Sequence, residues 1–121
     1  NHLDFCKKNV EVFNKNKKHI NYIKGSSYSK EVIDSIKSYN PLIDFLFIDG
    51  DHSYDGVLND FNSYKQFLNN GAIVVFDNYG GNAWPDVKKA IDNINFDKEG
   101  FRDLGSFSGK ESGLYLIQKF I

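Results

Sequence analysis

Three ionisable residues, Asp49, Asp51 and His52, follow directly after an apolar run in the middle of the chain. The run, residues 45–48, reads Phe-Leu-Phe-Ile, and four apolar residues without alternation are typical of a parallel strand that is covered on both faces. In open α/β sheets, ligands bind in the crevice beyond the carboxyl ends of such strands. The three polar side chains therefore stand where the sequence predicts a binding site.

A second apolar run, residues 72–76, ends in the same way, in Asp77 and Asn78. If the two strands are parallel neighbours, all these polar residues meet at one edge of the sheet. Together with the two aspartates of the first loop, they supply oxygen ligands of the kind that Mg²⁺ or Ca²⁺ prefers. Capping of the next helix is a sufficient explanation for a single strand-end Asp. Two paired motifs favour a metal site, because clustered carboxylates without a cation resist joint ionisation.

His52 lies three residues after Asp49, on the loop that overhangs such a metal. Histidine has a near-neutral pKa, which suits a general base that removes a proton from a hydroxyl polarised by a cation. The alternative is a surface histidine or a neighbour of a helix N-cap. Trp84, after a glycine-rich loop, is equally suited to lining a pocket and to covering the sheet.

The composition indicates one α/β domain, or a piece of one, without a charged partner. The chain has 121 residues, 40% of them apolar, and a net charge of −1. This balance predicts neither nucleic-acid nor membrane binding, and the apolar runs are too short to span a bilayer. The single Cys6 cannot form an internal disulfide, so a cytoplasmic setting is expected. A small-molecule partner is expected, and a homo-oligomer is compatible with the sequence.

Apolar periodicity predicts alternating helices and strands along the chain. Helices are expected over residues 2–15, from Ser29 to about Tyr39, over about 55–69 and from Pro85, and strands over 20–23, 43–48, 72–76, 101–107 and 114–120. The alternation predicts a parallel sheet with helices on both faces, to which the final hairpin adds one antiparallel strand. Gly71 is expected to end the third helix in a left-handed conformation.

Three motifs together resemble class I S-adenosylmethionine-dependent methyltransferases. They are Asp-Phe-Leu-Phe-Ile-Asp-Gly-Asp-His-Ser-Tyr at 44–54, Asn-Asn-Gly-Ala-Ile-Val-Val-Phe-Asp-Asn at 69–78 and Pro-Asp-Val-Lys-Lys-Ala-Ile-Asp at 85–92. The group they resemble is the small-molecule O-methyltransferases that include macrocin-type sugar enzymes and are related to the catechol enzymes. The resemblance implies a Rossmann-like sheet and methyl transfer to a small-molecule hydroxyl.

The resemblance also implies roles for the residues at the strand ends. In these families, the Asp that ends the fourth strand and the Asp-Asn or Asp-Asp pair that ends the fifth bind Mg²⁺, and these positions match Asp49, Asp77 and Asn78. His52 stands where catechol-type enzymes carry a catalytic Lys, and macrocin-type enzymes have a His there. Asp49, Asp77 and Asn78 are therefore the expected metal ligands, and His52 the expected catalytic base.

Only part of the family's cofactor site has a counterpart in this sequence. Asp51 matches a position close to the methionine part of the cofactor, and the turn Gly25-Ser26-Ser27 matches the one that contacts adenine. The glycine-rich loop after strand one and the acidic residue after strand two would precede Asn1. The resemblance thus implies that residues 1–121 are the later part of the domain, from the helix before strand three to strand seven, and that they are inactive alone.

Three other interpretations stay open from the sequence. In a haloacid dehalogenase-type phosphohydrolase, Asp49 would be the nucleophile and Asp51 the acid/base. The usual Gly-Thr pair after Asp51 and a Lys motif before Asp77 are, however, missing. A glycosyltransferase Asp-x-Asp motif is a weaker option. The last is a partial domain that only binds or assembles.

Overall fold

The computed structural model describes residues 2–121, which divide after Ser38 into two compact units. The first contains α1 (His2–Phe13) and α2 (Lys30–Ser38). Both helices were predicted, and the Ser29 hydroxyl accepts the Val32 N–H at 3.3 Å, which caps α2 as expected. The strand predicted over residues 20–23 is wrong, because this segment is irregular. A four-residue strand needs a hydrogen-bonded neighbour, and the sheet described below begins only at residue 43.

The second unit, Tyr39–Ile121, holds a four-stranded mixed sheet. Its elements are β1 (Ile43–Ile48), α3 (Tyr54–Tyr64), a 3₁₀ turn (Lys65–Phe67), β2 (Leu68–Asp77), α4 (Pro85–Asp92), α5 (Phe96–Glu99), β3 (Phe101–Ser108) and β4 (Gly113–Lys119). The strand order is β1-β2-β4-β3, in which β1 and β2 are parallel and β4 is antiparallel to both of its neighbours. The predicted fold class, a partial Rossmann-like sheet with one antiparallel strand near the C-terminus, is confirmed.

The sequence misplaced the boundary between α3 and β2. The helix expected to reach residue 69 ends at Tyr64, and β2 already begins at Leu68. Gly71 has the expected left-handed backbone, with φ of +86°, but it lies inside the strand. There the register slips: Ile43 pairs with Leu68 while Phe45 pairs with Ile73, so β2 advances five positions as β1 advances two. The left-handed backbone of Gly71 thus belongs to an irregularity within β2 and does not end a helix.

A cluster of phenylalanines joins the helices of the second unit to the sheet. Phe61 of α3 is 1% exposed. Its ring centroid lies 5.7 Å from Phe76 of β2, 5.7 Å from Phe96 of α5 and 5.4 Å from Phe101 of β3. These pairs lie in the range in which aromatic rings attract one another. The cluster therefore fixes α3 to the strand that ends in Asp77.

The outer strand β1 is paired on one side only within the described residues, and it carries exposed apolar side chains. Phe45 is 60% exposed, Phe47 49% and the preceding Leu42 76%. An exposed apolar edge strand is a site for further strand pairing or for aggregation. Within residues 2–121, no helix is long and apolar enough to cross a membrane.

Candidate functional site

The aspartate that follows β1 and the aspartate that ends β2 lie side by side at one edge of the sheet. Ile48 pairs with Phe76 in the parallel ladder, so the next residues, Asp49 and Asp77, emerge at the same edge. Both line one small pocket whose apolar part is formed by Ile48, Val57, Phe76 and Val87 and whose polar part is formed by Asp49, Gly50, Asp51, His52 and Asp77. The structure therefore brings four of the predicted site residues together.

His52 is held between a carboxylate and an aromatic ring. Its Nε2 lies 3.4 Å from Asp49 Oδ1, longer than a good hydrogen bond. Its ring centroid lies 4.5 Å from that of Trp84, with the ring planes at 50°. Trp84 directly precedes Pro85, the first residue of α4. Trp84 thus contacts His52, which lines the pocket, but Trp84 is not itself among the lining residues and is 45% exposed.

Asp51 is tied to the beginning of α3. Its Oδ1 accepts the Ser53 N–H at 2.9 Å, and Ser53 in turn caps the helix by accepting the Gly56 N–H at 3.0 Å. A Cβ at Gly56 would overlap the Asp51 carboxyl group, so only glycine fits there. The carboxylate thus lies at a helix N-terminus, where the helix dipole favours negative charge. This structural role is observed, and the contact of Asp51 with a cofactor stays a prediction.

Asn78 presents an unsatisfied oxygen. Its backbone is left-handed, with φ of +62°, and its Nδ2 donates to the Ser112 hydroxyl at 3.2 Å. Its Oδ1 is buried and has no hydrogen-bond partner within the described residues. A buried acceptor without a partner costs free energy, and a ligand at this oxygen would remove the cost. An amide oxygen is a ligand type that a hard cation such as Mg²⁺ accepts, but Asn78 is not among the residues that line the pocket of Asp49 and Asp77.

A metal site built from charged side chains alone is not found. Among residues 2–121, no group of three or more His, Cys, Asp and Glu side chains is placed to hold a metal ion. The predicted set, Asp49, Asp77 and Asn78, contains only two carboxylates and one amide, so it is not a group of three such side chains. Its assignment as a Mg²⁺ site stays a prediction.

The glycine-rich loop at 78–82 packs against the turn that joins β3 to β4. The Tyr79 N–H donates to the Gly113 carbonyl at 3.0 Å. Gly81 has φ of +74°, and a Cβ there would overlap the Glu111 backbone. Glycine at this position thus allows the loop backbone to approach the hairpin turn closely. Ser112 was missed, because nothing local marks a turn serine as a neighbour of residue 78.

A polar cluster next to the site joins the loop to α4. The Tyr79 hydroxyl donates to Asp92 Oδ1 at 2.7 Å, and Lys88 Nζ donates to Asp92 Oδ2 at 2.5 Å. Burial by itself would raise the pKa of Asp92, but the hydrogen bonds from Lys88 and Tyr79 outweigh it and leave that pKa below its ordinary value. Burial, followed by the hydrogen bond to Asp92, raises the pKa of Tyr79. The cluster anchors the helix that begins beside Trp84.

The turn Gly25-Ser26-Ser27 lies in the first unit, before α2. Gly25 has φ of +147°, and a Cβ there would come within 2.6 Å of Val32 Cγ2. The Ser26 carbonyl accepts the Ser29 N–H at 3.0 Å. Glycine is thus required by the local backbone. The contact of this turn with a cofactor stays a prediction.

Comparison with known proteins shows the class to which the chain belongs. A family model described as a methyltransferase domain matches residues 3–79. The chain is a member of this methyltransferase family, and the phosphohydrolase interpretation is left without support.

The chain is also similar in sequence to a viral protein. An uncharacterized protein of Acanthamoeba polyphaga mimivirus is 40% identical over 89 residues, which are 73% of this chain and 40% of that protein.

Two solved methyltransferases share the fold. CalS11, a TDP-rhamnose 3'-O-methyltransferase of calicheamicin biosynthesis, matches with a TM-score of 0.53 and 17% identity over 77% of this chain and 39% of its own. The O-methyltransferase NovP matches with a TM-score of 0.50 and 15% identity over 77% of this chain and 46% of its own. The chain thus spans less than half the length of these relatives.

Proposed function

We propose that the complete protein is an S-adenosylmethionine-dependent, Mg²⁺-assisted O-methyltransferase of a small-molecule hydroxyl, and that residues 1–121 are the later part of its domain. The family match supports the reaction class. The observation that carries the site is the parallel pairing of Ile48 with Phe76, which brings Asp49, Asp77 and His52 into one pocket. In this proposal the chain alone is inactive.

The proposed metal ligands are Asp49, Asp77 and Asn78. The cation, when bound, would orient the acceptor hydroxyl and make it more acidic. The two carboxylates supply the negative charge that a divalent cation needs, and Asn78 Oδ1 supplies a neutral acceptor without another partner in the described residues.

His52 is the proposed general base. It takes the proton of the acceptor hydroxyl on Nε2, the nitrogen that lies 3.4 Å from Asp49. The imidazolium that forms is stabilised by the carboxylate of Asp49, which gains a charge-assisted partner. Trp84 covers one side of the ring at 4.5 Å between centroids and limits its rotation. Base and carboxylate thus act as a unit.

The proposed cofactor contacts are Asp51 and the turn Gly25-Ser26-Ser27. S-adenosylmethionine, when bound, supplies an electrophilic methyl group. Asp51 suits the positively charged methionine amine, because its carboxylate is fixed by the Ser53 N–H at 2.9 Å and needs little reorganisation to bind.

The test is methyl transfer by the complete protein from labelled S-adenosylmethionine to a panel of hydroxyl acceptors. Sugar hydroxyls come first, since CalS11 is by name a TDP-rhamnose methyltransferase. We expect His52→Ala to lower turnover about 10²- to 10⁴-fold while cofactor binding, measured by calorimetry, is retained. His19→Ala, an exposed histidine of the first unit, is the control and should keep parental turnover.

Two results would refute the role of His52. One is parental turnover in His52→Ala. The other is a defect confined to cofactor affinity, which would make the residue structural. Asp77→Ala should abolish turnover, and a fully active Asp77→Ala variant would remove the metal site from the proposal.

A further inference from the structure

The turn between β3 and β4, residues 109–112, reaches the proposed metal site through a single serine. The Ser112 hydroxyl accepts a hydrogen bond from Asn78 Nδ2 at 3.2 Å. Asn78 is the residue whose Oδ1 is buried without a partner in the described part of the chain. The two ends of one amide therefore differ: the nitrogen donates to the hairpin, and the oxygen is buried without a hydrogen-bond partner among the described residues.

This difference matters because an amide can present either end to the pocket. A cation needs the oxygen, and the NH₂ group would repel it. In the structure the Ser112 hydroxyl accepts from Nδ2, which leaves Oδ1 on the side of the amide that faces away from this hydroxyl. The left-handed backbone of Asn78, with φ of +62°, restricts the side chain further.

Independent contacts fix the turn against the loop, so Ser112 is not an isolated surface serine. The Tyr79 N–H donates to the Gly113 carbonyl at 3.0 Å, and the Gly109 N–H donates to the Ser112 carbonyl at 2.7 Å. Gly81 packs so closely on the Glu111 backbone that no side chain fits there. The residues on both sides of Ser112 are thereby held next to the loop that carries Asn78.

We propose that Ser112 is a positioning residue, which orients the Asn78 amide so that its oxygen completes a divalent-cation site. The proposal rests on the metal site of the proposed function and extends it to the β3–β4 hairpin, an element without a metal ligand of its own. Partners that orient metal ligands commonly contribute about 10- to 100-fold to metal affinity.

The experiment measures the Mn²⁺ affinity of the complete protein by electron paramagnetic resonance, which needs neither cofactor nor acceptor. We expect Ser112→Ala to raise the Kd for Mn²⁺ about 10-fold. Ser112→Thr, which keeps the hydroxyl, should stay within about twofold of the parent. The matched control is Ser106→Ala, an exposed serine on β3 of the same hairpin, which should also bind Mn²⁺ like the parent.

A double-variant cycle separates positioning from a general loss of structure. The reference is Asn78→Gly, because glycine accepts the left-handed φ without strain. In this background, Ser112→Ala should change the Kd by less than about twofold, and the thermal midpoints of all variants should be compared.

The outcomes distinguish this inference from the proposed function. Loss of affinity in Asp49→Ala with parental affinity in Ser112→Ala would overturn the role of Ser112 and leave the metal site standing. An equal loss from Ser112→Ala in both backgrounds would also overturn it, because the serine would then act independently of Asn78. No Mn²⁺ binding by the complete parent protein would overturn the metal site and this inference together.

Discussion

Replacing Phe61 by Ala should strongly destabilise the unit that carries the site. Phe61 is 1% exposed, and its ring lies 5.4–5.7 Å from three other phenylalanine rings. Truncation of a buried Phe to Ala costs about 3–5 kcal/mol, part of it from ring pairs worth about 0.5–1.5 kcal/mol each. With three such pairs, we expect a loss in the upper half of that range, about 4–5 kcal/mol.

This loss is large for a unit of this size. At about 0.05–0.15 kcal/mol per residue, the unit over residues 39–121 has a total stability of roughly 4–12 kcal/mol. Urea unfolding followed by circular dichroism measures the change. The matched control is Phe107→Ala, at a position that is 69% exposed, which should change stability by less than about 0.5 kcal/mol. A Phe61→Ala variant as stable as this control would refute the packing described for α3.

Three further predictions concern the site and its surroundings. Trp84→Ala should lower turnover of the complete enzyme about 2- to 13-fold, since the ring pair with His52 is worth about 0.5–1.5 kcal/mol. Trp84→Phe should recover most of the lost turnover. If Trp84→Ala lowers turnover by the same factor in the His52→Ala background, the pairing of the two rings is contradicted. The folded-state pKa of Asp92 lies below the ordinary 3.8. The parent should therefore be more stable than Asp92→Asn at neutral pH, and this difference in the free energy of unfolding should disappear as the pH falls through the lowered pKa. A difference in urea midpoints that does not change with pH would show that the ion pair with Lys88 is not its source. Calorimetry of the 121-residue chain should show no saturable binding of S-adenosylmethionine at micromolar concentration, and tight binding would require a differently built cofactor site.

The strands that hold the site could be predicted from the sequence because their signals are local. The continuous apolar run at 45–48 and its counterpart at 72–76 each end in polar residues, and each run lies within a strand of the structure. Their parallel pairing follows from the single helix between them. The proximity of Asp49 and Asp77 in one pocket could therefore be predicted from the sequence alone.

The misplaced elements depend on distant partners. The segment 20–23 has apolar residues suited to a strand, but a strand forms only with a neighbour to pair with. The beginning of β2 at Leu68 is set by its pairing with Ile43 across the sheet, whereas Asn-Asn-Gly at 69–71 locally reads as a helix end. Tertiary pairing outweighed the local signal there.

The contacts that refine the site are also distant in sequence. Trp84 and His52 are 32 positions apart, and Asn78 and Ser112 are 34 apart. Neither pair has a fixed spacing that a sequence pattern could show. The residue types at the strand ends were predictable, and the side chains that orient them were not.

Metal removal and restoration during methyl transfer would decide whether this site works as proposed. The complete protein is given labelled S-adenosylmethionine and its acceptor, first with EDTA and then with an excess of Mg²⁺. We expect transfer to stop in EDTA and to return with Mg²⁺ in the parent, but not in Asp77→Ala. Transfer that continues undiminished in EDTA would contradict a cation held by Asp49, Asp77 and Asn78.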